Sequence, residues 1–290
     1  MFACPSRPEP MYTDFYLKRG KDHAICEDFA ATGIIGEHGF ALVSDGCSSS
    51  KEVDFGSRIL VHSAKDNLMT LLASGAPFDA TAFAAATIAK TAEVVGCFRS
   101  LPVSTLDATL LLALVRSDST TESFCAQVCF WGDGVAIVRK KERVVATMLR
   151  FPGNAPCYLT YSLDESRRQA YLEHQGGRRQ ILRVTLDLEG KEISREESEE
   201  CFVDPIVPHQ EQFSLEAQDS LALVSDGITQ FFTAENTPVS WEKLAPKFVD
   251  FKKPTGVFVR RRMNFFEREN RAAGLRHLDD LSVAAITLLR

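Results

Sequence analysis

The stretch Ala41-Leu42-Val43-Ser44-Asp45-Gly46 recurs letter for letter as Ala222-Leu223-Val224-Ser225-Asp226-Gly227. Each copy is an apolar run of strand length that drives into a Ser-Asp-Gly corner, so each sets a carboxylate where a buried strand ends. Asp-Gly is also an ordinary hairpin turn, and one copy alone would carry no functional meaning. Two carboxylates delivered by strand ends far apart in sequence can instead meet in space and share a cation. The surroundings of the two copies decide between these readings.

Upstream of the first copy, Tyr12 to Lys18 alternates as a strand, and the adjacent acids Glu27-Asp28 precede a mixed run from Ala30 to Ile35. Gly36 to Gly39 signals a turn into the strand Phe40 to Val43. A hairpin between Asp28 and Asp45 follows, and it places Glu27, Asp28 and Asp45 at one end. Three carboxylates at one edge repel each other unless a cation neutralises them. Downstream, Ser48-Ser49-Ser50 predicts a helix start, with apolar residues at helical spacing from Val53 to Leu72 and a stop at Gly75. A second, alanine-rich helix is expected from Ala80 to Phe98.

Short apolar runs then follow from Asp107 to Val115, Ser123 to Trp131, Val135 to Arg139 and Arg143 to Leu149, with Trp131-Gly132-Asp133-Gly134 as a tight turn. Strands in quick succession argue for antiparallel sheet, and there is no glycine-rich phosphate loop. Residues 150–215 predict a short helix from Asp164 to His174 and a hairpin of Gln180–Asp187 with Lys191–Arg195. Glu196 to Glu200 reads as an acidic surface run. This middle segment is either a flap over a site or plain connection. The second copy is followed by helices from Trp241 to Asp250 and Thr255 to Ala273, then by His277-Leu278-Asp279-Asp280 and a strand from Leu281 to Leu289. No Pro/Ser/Gly-rich linker interrupts the chain, so one domain over 1–290 is expected, with residues 1–11 as a loose leader.

The 290 residues are 45% hydrophobic and 25% charged, enough for a sizeable core. A net charge of −6 with scattered Lys and Arg argues against a nucleic-acid partner, and Arg260-Arg261-Arg262 reads as a solvated helix face. No segment has membrane-spanning length, and no secretory signal is visible, so neither a membrane nor an extracellular setting is expected. The eight cysteines show no Cys-x-x-Cys spacing. Cys125 and Cys129 share one face of a strand, a core arrangement, and a reduced cytoplasmic protein is expected.

Acids therefore flank strands in four separated places: Glu27-Asp28, Asp45, Asp226 and Asp279-Asp280. Carboxylates without accompanying Cys or His clusters suit hard cations such as Mg²⁺ or Mn²⁺. A pair of such ions can polarise phosphate oxygens and activate a water for in-line attack.

The order Glu27-Asp28, Val43-Ser44-Asp45-Gly46, Thr109-Leu110, Gly132-Asp133, Val224-Ser225-Asp226-Gly227 and Asp279-Asp280-Leu281-Ser282 resembles the type-2C metal-dependent Ser/Thr protein phosphatases, above all their divergent bacterial branch. The resemblance covers roughly residues 15–60, 104–140 and 218–290. It implies an α+β, four-layer αββα sandwich with two central antiparallel sheets and a centre of two Mn²⁺ or Mg²⁺ ions. Asp45 would bridge both ions, Gly46 would offer its carbonyl, and Asp226 and Asp279 would complete the first ion. Glu27 and Asp28 would orient waters of the second. A third, weaker ion is placed at Asp107, where a plain turn acid is the other reading, and Asp133 is read as structural. The substrate implied is a phosphoprotein, hydrolysed by metal-activated water without a phosphoenzyme. Two positions depart from the family pattern. His23 stands where better-known members carry a phosphate-binding arginine; it is either a weaker phosphate contact, with Lys21 nearby, or a surface histidine. Cys47 stands where many members have a histidine proposed as proton donor. These departures keep a second reading open, a catalytically weak or inactive pseudophosphatase acting as a regulatory binding domain.

Overall fold

The structure is a computed structural model and describes residues 11–118 and 123–289. Its strands are β1 (Met11–Lys18), β2 (Phe29–Ile35), β3 (His38–Ser44), β4 (Leu110–Asp118), β5 (Ser123–Trp131), β6 (Gly134–Lys140), β7 (Arg143–Arg150), β8 (Arg178–Leu186), β9 (Glu192–Cys201), β10 (His209–Leu215), β11 (Ser220–Val224), β12 (Phe231–Phe232), β13 (Arg276–His277) and β14 (Leu281–Leu288). The helices are α1 (Val53–Ala73), α2 (Ala80–Gly96), α3 (Glu165–Gln175), α4 (Trp241–Leu244) and α5 (Phe258–Ala272).

Two antiparallel sheets form the centre. One has the strand order β1-β14-β11-β6-β7-β8-β9, the other β10-β5-β4-β3-β2. The apolar runs of β4 explain the layering. Leu111, Ala113 and Val115 point between the sheets, where they meet Val138, Leu223 and Ile286. Leu110, Leu112 and Leu114 point the other way, onto Leu60, Leu68 and Phe83 of α1 and α2. On the far side, Val224, Val283 and Ala285 carry Phe248 and the α5 residues Phe258, Met263 and Phe266. Each central strand is buried on both faces, which is why it reads as a continuous apolar run rather than an alternation. The result is the four-layer α+β sandwich expected from the sequence.

Antiparallel pairing fixes where the acids fall. Phe29 opposes Ser44 and Val43 opposes Leu111, so the start of β2, the end of β3 and the start of β4 share one end of the five-stranded sheet. Val224 opposes both Val283 and Val135, so the end of β11 and the starts of β14 and β6 share one end of the other sheet. Every acidic flank therefore lies at a strand terminus of the same kind.

Several expectations shift. The helix expected at Ser48–Ser50 begins only at Val53, after Glu52 in a left-handed conformation (φ 55°). Trp241–Asp250 is not one helix: α4 stops at Leu244 and a 3-10 turn, Ala245–Phe248, continues it, because Pro246 lacks an N–H and disfavours an α-helical residue before it. Residues 150–215 supply β8, β9 and β10 to the two sheets, and Glu196–Glu200 belongs to the edge strand β9. The leader expected at 1–11 lies outside the described residues except for Met11, which opens β1. The cysteines among the described residues are free thiols, whereas Cys4 falls outside them. Among the described residues no helix is long and apolar enough to cross a membrane.

Candidate metal centre

At the shared strand ends a cleft of about 210 Å³ opens, and four carboxylates line it: Asp45, Asp133, Asp226 and Asp279. Gly46, Cys47, Ser48, Thr109, Asn154 and Tyr158 also contribute to its walls. Asp45 is held on the loop after β3 by reciprocal bonds with Thr109: the Asp45 N–H donates to Thr109 Oγ1 at 3.0 Å, and the Thr109 N–H donates to the Asp45 carbonyl at 2.8 Å. Gly46 bridges to Ala108. A side chain at Gly46 would press on the Glu27 carbonyl and on Val53, both 3.0 Å from an added Cβ.

Asp133 turns inward between Gly132 (φ 111°) and Gly134 (φ 137°), two backbone conformations that glycine adopts without steric penalty. The sequence reading took this acid as structural, yet it is buried and shares the cleft with the others. The signal was available: Asp133 precedes the apolar run of β6 as Asp279-Asp280 precedes β14. It was masked by the Gly-Asp-Gly pattern, which also describes a plain turn.

The electrostatics call for positive charge. Burial, then the charges of Asp28 and Asp226, push the Asp45 carboxyl well above its ordinary range. Burial, then Asp226, do the same for Asp133 and Asp279. Asp28 is fully buried and likewise raised, by burial first. Its Oδ2 accepts from Ser225 Oγ at 2.7 Å, while its Oδ1 has no partner. An oxygen-only donor set with unpartnered buried carboxylate oxygen fits a hard divalent cation. Asp45, Asp133, Asp226 and Asp279, with Gly46 beside them, line the cleft in which such an ion could be held.

Other expected residues stand elsewhere. Asp280 accepts from the N–H groups of Gly20 and Glu27, both at 2.6 Å, and so anchors the loop carrying His23 and Glu27. His23 is enclosed by carboxylates, with Nε2 3.0 Å from Asp279 and Nδ1 3.4 Å from Glu27 and 3.3 Å from Asp280. His23, Glu27 and Asp280 form one compact group, and neither His23 nor Glu27 lines the cleft. Lys21 is exposed on the same loop and also outside the cleft lining. Asp107 is taken up by other groups: Oδ1 accepts from Thr160 at 2.7 Å, and Oδ2 accepts from Arg167 at 2.7 Å and Ser50 at 3.1 Å. Its carboxylate ties α3 to the wall, and Asp133, not Asp107, is the additional acid that reaches the cleft.

Residues 18–276 match the protein phosphatase 2C family, and the chain belongs to that family. No curated protein matches it. Solved structures share the fold at low identity. The PP2C phosphatase domain, with a fragment of the regulatory domain, of SpoIIE from Bacillus subtilis is 11% identical, with a TM-score of 0.54, over 97% of this chain and 62% of that one. The Mycobacterium tuberculosis serine/threonine phosphatase PstP/Ppp is 13% identical over 97% of this chain and 99% of that one, at a TM-score of 0.51. The catalytic domain of PstP in complex with two manganese ions is 15% identical with the same coverage and a TM-score of 0.50.

Proposed function

We propose that the protein is a Mn²⁺- or Mg²⁺-dependent phosphatase acting on phosphoserine and phosphothreonine in proteins. The observation that carries this is the convergence of Asp45, Asp133, Asp226 and Asp279 on one cleft, in a chain of the protein phosphatase 2C family. Two bound ions would supply Lewis acidity toward phosphoryl oxygens and lower the pKa of water. The chain's own contribution is placement. Asp45, Asp226 and Asp279 would hold the two ions, with Asp45 shared between them, and Asp133 would be the donor available to a third. Asp28, bonded to Ser225, backs Asp45 and can orient water held at the centre. The phosphoprotein substrate, the metal identity and a cytoplasmic, signalling setting belong to this proposal.

The second reading, a regulatory pseudophosphatase, is favoured by one observation: His23 is committed to Asp279, Glu27 and Asp280 rather than to the cleft. One assay separates the two. Purified protein should hydrolyse a generic aryl phosphate when Mn²⁺ is added, and Asp226→Ala should not. Metal-independent turnover of the same size in both proteins would refute the proposal. Absence of turnover on any phosphopeptide would select the regulatory reading.

A further inference from the structure

Tyr158 stands in the wall of the cleft on a segment that fixes it from behind. It shares the cavity with the four carboxylates and with Cys47, and it is only 7% exposed. Tyr161 packs against it edge-on, ring centroids 5.7 Å apart at 68°. Arg167 lies over the Tyr161 ring at 4.9 Å and pairs with Asp107 at 2.7 Å. The Asp107 carbonyl in turn accepts from the Cys47 N–H at 2.8 Å, tying this segment to the opposite wall. A phenol in the cleft wall, packed from behind by Tyr161, has little left to order on binding.

A phosphoryl group entering this cleft meets walls of one sign. Among the described residues that line it, none is Lys, Arg or His. Bound cations could neutralise the phosphoryl charge, but its remaining oxygens still need donors. Of the neutral donor side chains in the wall, Ser48 and Asn154 are exposed and the Thr109 hydroxyl is engaged with Asp45, which leaves the buried Tyr158 phenol. A charged phosphoryl oxygen makes a hydrogen bond roughly twice as strong as a neutral acceptor does.

We infer that the Tyr158 hydroxyl donates to a non-bridging oxygen of a phosphate monoester seated over the cation site. Tyr158 is thus a phosphate-binding residue in a cleft without a cationic side chain, and this rests on the phosphatase reading above. Burial pushes the phenol above its ordinary range, so it keeps its proton and acts as a donor, not as an acid.

The test is calorimetric titration of inorganic phosphate into the Mn²⁺-loaded protein, wild type beside Tyr158→Phe, which keeps the ring against Tyr161. The expected result is phosphate affinity about tenfold weaker in the variant, the loss of one hydrogen bond to a charged group, with Mn²⁺ affinity unchanged. Replacing residue 158 by 3-fluorotyrosine, a stronger donor of nearly the same volume, should hold phosphate at least as tightly as wild type. Equal phosphate affinity in wild type and Tyr158→Phe, or no phosphate binding in either, overturns the inference. Phosphate binding that depends on Tyr158 in a protein that hydrolyses nothing sinks the phosphatase reading alone.

Discussion

At the first Ser-Asp-Gly corner the Ser44 hydroxyl is buried without a partner, whereas at the second the Ser225 hydroxyl donates to Asp28 at 2.7 Å and accepts from the Ser282 N–H at 3.0 Å. Gly46 faces neighbours that a Cβ would only crowd, whereas a Cβ on Gly227 would overlap the Asp280 carbonyl. The Gly227 carbonyl also accepts from His277 Nε2 at 3.1 Å, a strut the first corner lacks. Identical hexapeptides thus serve different ends. The first corner presents Asp45 to the cleft. The second presents Asp226 and, through Ser225, also locks the two sheets together. Local sequence sets the shape of the corner, and its neighbours set its duty.

The comparison can be broken most sharply at the two carboxylates. Asp45→Ala and Asp226→Ala should each lower Mn²⁺-dependent turnover by about three orders of magnitude, the scale of several kcal/mol of charge stabilisation. Calorimetry should separate them: Asp45→Ala loses both Mn²⁺ binding events, and Asp226→Ala retains one. Retention of both ions by Asp45→Ala would remove its bridging role.

The glycines come next. Gly227→Ala should cost about 3 kcal/mol or more of unfolding free energy in urea, since the obstacle is backbone, and Gly46→Ala about 1 kcal/mol. Equal costs would mean that the second corner is no tighter than the first.

The histidine strut predicts a pH signature. Burial is the main cause that lowers the His277 pKa to about 4, below its ordinary value near 6.5. A base depressed on folding stabilises the protein above about pH 6.5, and that stability is lost as pH falls through 4. The stability advantage of wild type over His277→Asn should therefore shrink by about 2 kcal/mol between pH 7 and pH 5. A constant difference across that range would show that His277 does not titrate in the folded protein's favour.

The serines give the smallest effects. Ser225→Ala strips a hydrogen bond from a buried carboxylate and should cost about 1.5 kcal/mol. Ser44→Ala removes an unsatisfied hydroxyl and should change stability by less than about 0.5 kcal/mol. Thermal melts of the pair check both, and a large loss at Ser44 would reveal a partner for that hydroxyl.

Much of this was legible in one dimension. The hairpin of β2 and β3, the two long helices, the strand succession from β4 to β7 and the final strand follow from apolar periodicity and turn residues. So does the clustering of Asp28, Asp45, Asp226 and Asp279, because each borders a strand that had to be buried. What misled was the reading of short polar segments. Asp133 looked like a structural turn acid, and Asp107 was open between a weak third-ion ligand and a plain turn acid, whereas its carboxylate is taken by Thr160, Arg167 and Ser50. His23 was open between a weak phosphate contact and a surface histidine, and neither reading foresaw the three carboxylates around it. Strand β10 gave no signal, since alternate residues of His209–Leu215 lie open to solvent on one face of an edge strand and the segment carries Gln and Glu.

The sequence by itself determined that two apolar strands end in carboxylates and that the chain builds antiparallel sheets, because burial on both faces and turn chemistry are written locally. Only the tertiary structure decided which acids share a cleft and which are spent elsewhere. Pairing register and sheet packing set those distances, and Arg167 claims Asp107, and Ser225 claims Asp28, across 60 and 197 positions of chain. The same packing made the two copies of Ala-Leu-Val-Ser-Asp-Gly unequal: one opens onto the cleft, and the other also holds the sheets that form it.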